Sequence, residues 1–275
     1  MGFRENHTPV YADIVQIVRK GFNLLGPEVQ EEIKLFVNSR QDATGAFVDR
    51  GGQGDLYYSL FGYWLSSALQ LSENLEKLRN FIADNERTKP QQLVNKYCVS
   101  LLKKALNIKT KPPKLKSLFF GRDFKTNFSY RLFLFLLAFD AWFGRKWWLM
   151  LIGKIGLWFY RPPAGAPSSL WAAITVATFE LGGNVSRKQQ HLLSYFDNST
   201  GFKAFQQTVS ADTLSTGVAL YVLQKTGFDS RIIAPACLDF IQRNYERGAF
   251  LSGDGDPTRD LEYTFYGLLA LGSLA

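Results

Sequence analysis

Cysteine and histidine are nearly missing from this chain. Its 275 residues hold two of each: Cys98 and Cys237, His7 and His191. Two cysteines build no disulfide framework, and such sparing use suits a reducing, cytoplasmic compartment. Also missing is any run of ~20 apolar residues of the kind a bilayer-spanning helix requires. The most apolar region, residues 131–161, is interrupted by Asp140, Arg145, Lys146 and Lys154. The first residues, Met-Gly-Phe-Arg-Glu-Asn-His-Thr-Pro, contain no apolar h-region, so no secretory leader is expected.

Aromatic residues, by contrast, are abundant. Hydrophobic residues make up 46% and aromatics 15%, with 23 Phe, which points to an aromatic-rich interior or an aromatic-lined pocket. A chain this long buries a sizeable core, and a single domain over residues 1–275 is expected. The net charge of +8 is concentrated: from Lys103 to Lys125 there are eight basic residues against one acid. Such a run argues for an anionic partner. No recognised nucleic-acid motif accompanies it, so nucleic acid is not expected. Nearby, residues 145–161 set Trp147, Trp148 and Trp158 among basic residues. Interfacial aromatics edged by cations mark a helix lying in a membrane surface. The 103–125 and 145–161 segments together are therefore expected to make peripheral contact with an anionic membrane.

One phrase occurs three times. Thr44-Gly-Ala-Phe47 leads to Asp55-Leu-Tyr-Tyr-Ser and an apolar run to Leu71. Thr200-Gly-Phe202 leads to Asp212-Thr-Leu-Ser-Thr and an apolar run to Leu223. Gly248-Ala-Phe250 leads to Asp260-Leu-Glu-Tyr-Thr and an apolar run to the last residues. Looser copies open at Asn127 and at Ser168. Before each good copy stands an amphipathic helix, whereas the run after the Asp is apolar on every side and therefore buried on every side. The inner starts 55, 127, 168, 212 and 260 are separated at the end by 41, 44 and 48 residues, as in a two-helix repeat. The first interval, 72 residues, hides a further hairpin between Ser72 and Leu106. An all-α closed ring, with buried helices inside and amphipathic ones outside, accounts for the pattern. The segment 11–25 reads as an additional amphipathic helix.

These residues resemble the prenyltransferase and squalene-cyclase repeat superfamily, closely over 44–71 and 198–275 and loosely over 127–182. The resemblance implies an α/α toroid whose aromatic-lined centre holds an isoprenoid or other lipid chain. In protein prenyltransferases the zinc ligands include an Asp-x-Cys and a His at the last inner-helix start. Here Tyr57 and Tyr263 stand in those places, so zinc is not expected. In class II terpene cyclases an Asp-x-Asp-Asp supplies the proton. Here Ser210-Ala-Asp212-Thr213 keeps one acid of three, and the family's Gln-Trp pairs are missing. The chain thus looks like a reduced, stand-alone member.

Asp55, Asp212 and Asp260 are good helix N-caps. In a ring they and Glu262 would approach one another at one mouth, where crowded carboxylates could protonate a lipid or hold a diphosphate through Mg²⁺. Tyr57, Tyr58, Tyr63, Trp64, Tyr263 and Tyr266 are the candidate substrate-binding wall. Two readings follow. One is a zinc-independent enzyme of terpene-cyclase or prenyltransferase type, with its acids clustered at an open mouth. The other is a catalytically silent toroid that binds a lipid or a partner protein, with each acid paired to an Arg or a backbone amide. Asp254-Gly-Asp256-Pro257 reads as a turn rather than a calcium loop, because an EF-hand would need Gly at Arg259 and Glu at Phe265.

Overall fold

The chain was described from a computed structural model, which covers residues 9–84, 92–114, 118, 128–144 and 147–275, with backbone alone at 128–130 and 147–150. The protein is mostly helical. Its α-helices are α1 (Val10–Asn23), α2 (Pro27–Ser39), α3 (Leu56–Ala68), α4 (Ser72–Asp84), α5 (Leu93–Ala105), α6 (Phe128–Phe143), α7 (Trp147–Phe159), α8 (Ser168–Glu180), α9 (Ser186–Leu193), α10 (Thr213–Lys225), α11 (Ala234–Arg243) and α12 (Leu261–Leu274). Two short antiparallel ladders pair β1 (Phe196–Asp197) with β2 (Gly201–Phe202), and β3 (Tyr245–Glu246) with β4 (Ala249–Phe250).

Six of these helices are neighbours in sequence order. α3 packs on α5, α5 on α6, α6 on α8, α8 on α10 and α10 on α12, and α12 packs back on α3. Leu60, Leu220 and Leu268, on three of them, are buried. The helices α2, α4, α9 and α11 stand beside them, each next in sequence to the helix it touches. The hairpin hidden in the long first interval is α4–α5. The start at Asn127 and the second half of the Lys103–Lys125 run, from residue 115 onward, lie outside the described residues except for Leu118.

Each residue of the thrice-repeated phrase has a structural task. Gly45, Gly201 and Gly248 all adopt positive φ, which a Cβ would strain. The next aromatics, Phe47, Phe202 and Phe250, are buried in the core and bridge back antiparallel to Gln41, Phe196 and Tyr245. Burial would orphan their amides. The hydroxyl four residues after each Asp accepts them: Ser59 at 3.0 Å from the Phe47 nitrogen, Thr216 at 3.0 Å from Phe202 and Thr264 at 3.3 Å from Phe250. The Asp itself caps its helix, accepting from Tyr57 and Tyr58, from Ser215 and from Tyr263.

The turn glycines also join neighbouring units. A Cβ on Gly45 would meet the Lys77 carbonyl oxygen of α4 at 2.3 Å, and one on Gly248 would meet the Glu32 carbonyl oxygen of α2 at 2.3 Å. The same close approach thus links the first unit to the second and the last unit to the first.

Helix α1 stands apart from the hairpins. It lies over the C-terminal ends of α3, α6, α10 and α12, whose last carbonyls lack intrahelical partners. Arg19 donates to the Ser67 and Ala68 carbonyls at the end of α3 at 2.8 and 3.2 Å, and Lys20 donates to the Ala275 carbonyl. The Val10 amide donates to Asp140 near the end of α6, and Asp13 accepts from Tyr221 and Lys225 at the end of α10. Where α1 crosses α12 the backbones nearly touch. A Cβ on Gly21 would lie 2.1 Å from the Leu268 oxygen, and one on Gly272 would lie 1.9 Å from the Ile17 oxygen.

Candidate functional site

At the opposite end, where α3 and α12 start, the chain segments before the two helices converge. Arg50, in the Gly-rich loop leading to Asp55, reaches Asp260 Oδ2 through Nε and Asp256 Oδ2 through Nη1, both at 2.7 Å. Asp260 is fully buried, whereas the Arg50 side chain keeps 38% of its surface exposed. One face of the guanidinium lies 5.3 Å from the Tyr263 ring centroid. Burial works against the Arg50 charge, but Asp260 outweighs it and holds the proton more tightly than in a free arginine. Glu262, the second residue of α12, accepts from the Tyr57 hydroxyl at 2.7 Å. Burial, then the charges of Asp260 and Glu262, raise the Tyr58 hydroxyl above the usual tyrosine range. Burial first and Glu262 next push Tyr263 up to about 12. These phenols therefore stay protonated donors at neutral pH.

Asp55 bonds its own helix through the Tyr57 and Tyr58 amides, at 2.8 and 2.9 Å. Asp212 is held differently. It accepts from the Ser215 amide at 2.7 Å, and the charge of Asp254 adds to the upward push on its carboxyl. Burial dominates and pushes its carboxyl up to about 6, against the opposing pull of the Ser215 bonds. Its helix is stitched to the loop before α12 by the Thr213 amide on the Ser252 oxygen and the Thr213 hydroxyl on the Leu251 oxygen, both at 2.7 Å. Compared with protein-family models, with curated proteins and with solved structures, the chain has no match.

The four predicted acids thus divide into three settings. Asp260 and Glu262 share one polar group with Arg50, Tyr57, Tyr58 and Tyr263, Asp212 caps α10 through Ser215, and Asp55 serves its own helix. Among the described residues no three His, Cys, Asp or Glu side chains converge as a metal ion requires. With Asp260 engaged by Arg50 and Glu262 by Tyr57, these carboxylates do not form a cage for a diphosphate-bound Mg²⁺. Both cysteines are free and buried, and burial pushes Cys237 up to about 12, so its thiol is inert at neutral pH.

The six predicted aromatics divide too. Tyr57, Tyr58 and Tyr263 are half-buried at the helix starts. Trp64 and Tyr266 are core residues in a cluster with Phe61 and Phe265, Trp64 stacking on Phe265 with centroids 4.9 Å apart. The indole N–H of Trp64 has no acceptor among the described residues. Tyr63 is buried near Ser67 and Tyr11, towards α1.

Sequence reasoning missed Arg50, since a lone cation in a glycine-rich loop carries no periodic signal. It also missed the group at the other end, where Lys225 meets Asp13 at 2.7 Å and Glu180 at 3.3 Å. Those partners are 45 or more residues apart and meet only in the fold.

Proposed function

We propose that the chain is an α/α toroid that holds an isoprenoid or other lipid chain at its centre, with its rim acids fixing the architecture. The repeated glycine contact supports closure: Gly248 meets α2 as Gly45 meets α4, so the last unit treats the first as its successor. With α1 laid across the C-terminal ends, the entrance we assign to the lipid is at the other end, beside Tyr57, Tyr58, Tyr263 and Glu262. The phenols would edge that entrance, and the Trp64 indole N–H, with no acceptor among the described residues, is a donor within the aromatic cluster behind it.

The observation that carries binding over acid chemistry is the Arg50–Asp260 pair. An acid whose two oxygens are taken up by a guanidinium and a backbone amide is committed to those partners, whereas a proton donor must be free to reach its substrate. Mass spectrometry of the natively purified chain tests the reading. A bound lipid is expected, released by denaturation and displaced by an uncharged isoprenoid alcohol. A chain that arrives empty and takes up no isoprenoid or fatty alcohol refutes it.

A second reading, acid-assisted turnover of terpene-cyclase type, is favoured by Asp212 alone. A carboxyl raised to about 6 is partly protonated near neutral pH, as a general acid must be. Asp212→Asn and Glu262→Gln separate the readings: loss of turnover of the bound lipid with an intact fold makes the chain an enzyme.

A further inference from the structure

Helix α7 presents a stripe of large apolar side chains to the outside. Leu151, Ile152, Ile155, Trp158 and Phe159 are 52, 60, 50, 71 and 70% exposed. At the α-helical repeat these five fall within an arc of about 120°. The opposite side makes the contacts that hold the helix. Gly153 rests against the Leu181 side chain, and Leu157 packs on Ala166, Leu170 and Ile174. Phe179, two residues before Leu181, adds to the exposed apolar surface. A contiguous stripe of this kind marks an interaction surface, unlike scattered single leucines.

Charge decides what covers it. Between Asp140 and Glu180 the sequence holds no acid, while Arg145, Lys146, Lys154 and Arg161 are basic. Lys154 and Arg161 are exposed and have no ion-pair partner among the described residues. A second copy docking symmetrically through α7 would bring these cations towards their own counterparts with no acid on the segment to answer them. An anionic lipid surface answers both features at once, with apolar depth for the stripe and negative headgroups for the cations. No helix among the described residues is long and apolar enough to cross a membrane, so α7 would lie along the surface.

We propose that α7 binds the surface of an anionic membrane, with Leu151, Ile152, Ile155, Trp158 and Phe159 buried below the headgroups and Lys154 and Arg161 among them. The proposal rests on α7 alone and stands or falls separately from lipid binding at the centre.

Vesicle flotation of the full chain tests it. Phosphatidylcholine vesicles with about a third phosphatidylglycerol should carry the chain upward at low salt. Pure phosphatidylcholine, or high salt, should carry less. The double variant Trp158→Asp with Phe159→Asp should lose at least tenfold in partitioning with its thermal unfolding unchanged, since both side chains are largely solvent-exposed. A charge variant, Lys154→Glu with Arg161→Glu, should lose the preference for anionic vesicles while its fold is independently checked by circular dichroism. The proposal is overturned if the wild-type chain floats with neither vesicle, or if the folded aspartate variant floats as well as wild type. It is equally overturned if the chain sediments as a dimer that the aspartate variant dissociates, with no flotation, which would assign α7 to a second copy.

Discussion

Replacing Asp212 by Asn should stabilise the protein at neutral pH and leave it nearly unchanged in acid. Asp and Asn are equally good N-caps, and the Asn oxygen still accepts from the Ser215 amide. What the substitution removes is a charge that burial disfavours. The Asp212 carboxyl titrates at about 6 in the fold, against an ordinary 3.8. The folded state therefore holds this proton more tightly than the unfolded chain, and stability falls as pH rises through the window between those values. The full gap corresponds to about 3 kcal/mol as an upper bound. Residual water at this half-buried group reduces it, so about 1–2 kcal/mol is expected above pH 7. Urea unfolding at pH 4, 5, 6, 7 and 8 measures it, with wild type and variant compared at each pH. The difference should be near zero at pH 4 and grow to its full size by pH 7. A difference that ignores pH, or an Asn variant less stable at pH 7, refutes the assignment of a desolvated carboxyl at this helix start. If the gain is present, a position kept as Asp at a cost to stability is one where chemistry or binding uses the acid.

Three further outcomes follow from the packing. Gly21→Ala and Gly272→Ala should each cost about 1–3 kcal/mol or more, because the obstructing atoms are backbone. Gly26→Ala, with nothing within 4 Å, should be near neutral in the same denaturant series. Thr216→Val and Thr264→Val strand the buried amides of Phe202 and Phe250 and should cost about 1–3 kcal/mol, with Ser at either position recovering part of it. Arg50→Met leaves Asp260 buried without its cation. Breaking a fully buried pair costs about 3–5 kcal/mol, and the half-exposed guanidinium lowers this to about 2. A double-mutant cycle with Asp260→Asn should show a coupling of the same sign; strict additivity would mean that the pair contributes nothing.

The parts of this fold that could be read from sequence are those where one residue type does one local job. Gly at positive φ, Phe in the core, Asp at the cap and Ser or Thr beneath the Phe amide are each dictated by geometry within 20 residues, so three units announced themselves. Helix α5 did not. It starts at Gln92 with no side-chain cap, and Lys96, Lys103 and Lys104 give it a polar face that reads as an outer helix. The amphipathic stripe of α1 was plain, but periodicity states which side is buried and never against what. Its placement across the helix ends is decided by Gly21 and Gly272, ordinary glycines until their backbones meet. The acids were found and their setting was not. Asp260 owes its surroundings to Arg50 and Glu262 its own to Tyr57, each more than 200 residues away in sequence. The exposed α7 stripe was visible as Trp158 among cations, because amphipathic composition survives whether or not the partner is known.

The crossing of α1 and α12 also sets a schedule. Gly21 leaves the ribosome about 250 residues before Leu268 and Gly272, the backbone it must lie against. At synthesis rates of roughly 5–20 residues per second, α1 waits on the order of 10–50 s for its partner. During that time α1 can pack on α3 but its larger contact, with α12, is unmade, so its apolar side with Ile14, Val18 and Phe22 is only partly covered, and α2 waits about as long for Gly248. Intermediates that expose a helix face for that long are open to aggregation and to capture by chaperones. Refolding of the finished chain meets no such delay, since all partners are present at once. Folding during synthesis and folding from denaturant are therefore different reactions for this protein, and the yield of the first depends on how the cell shelters its first two helices.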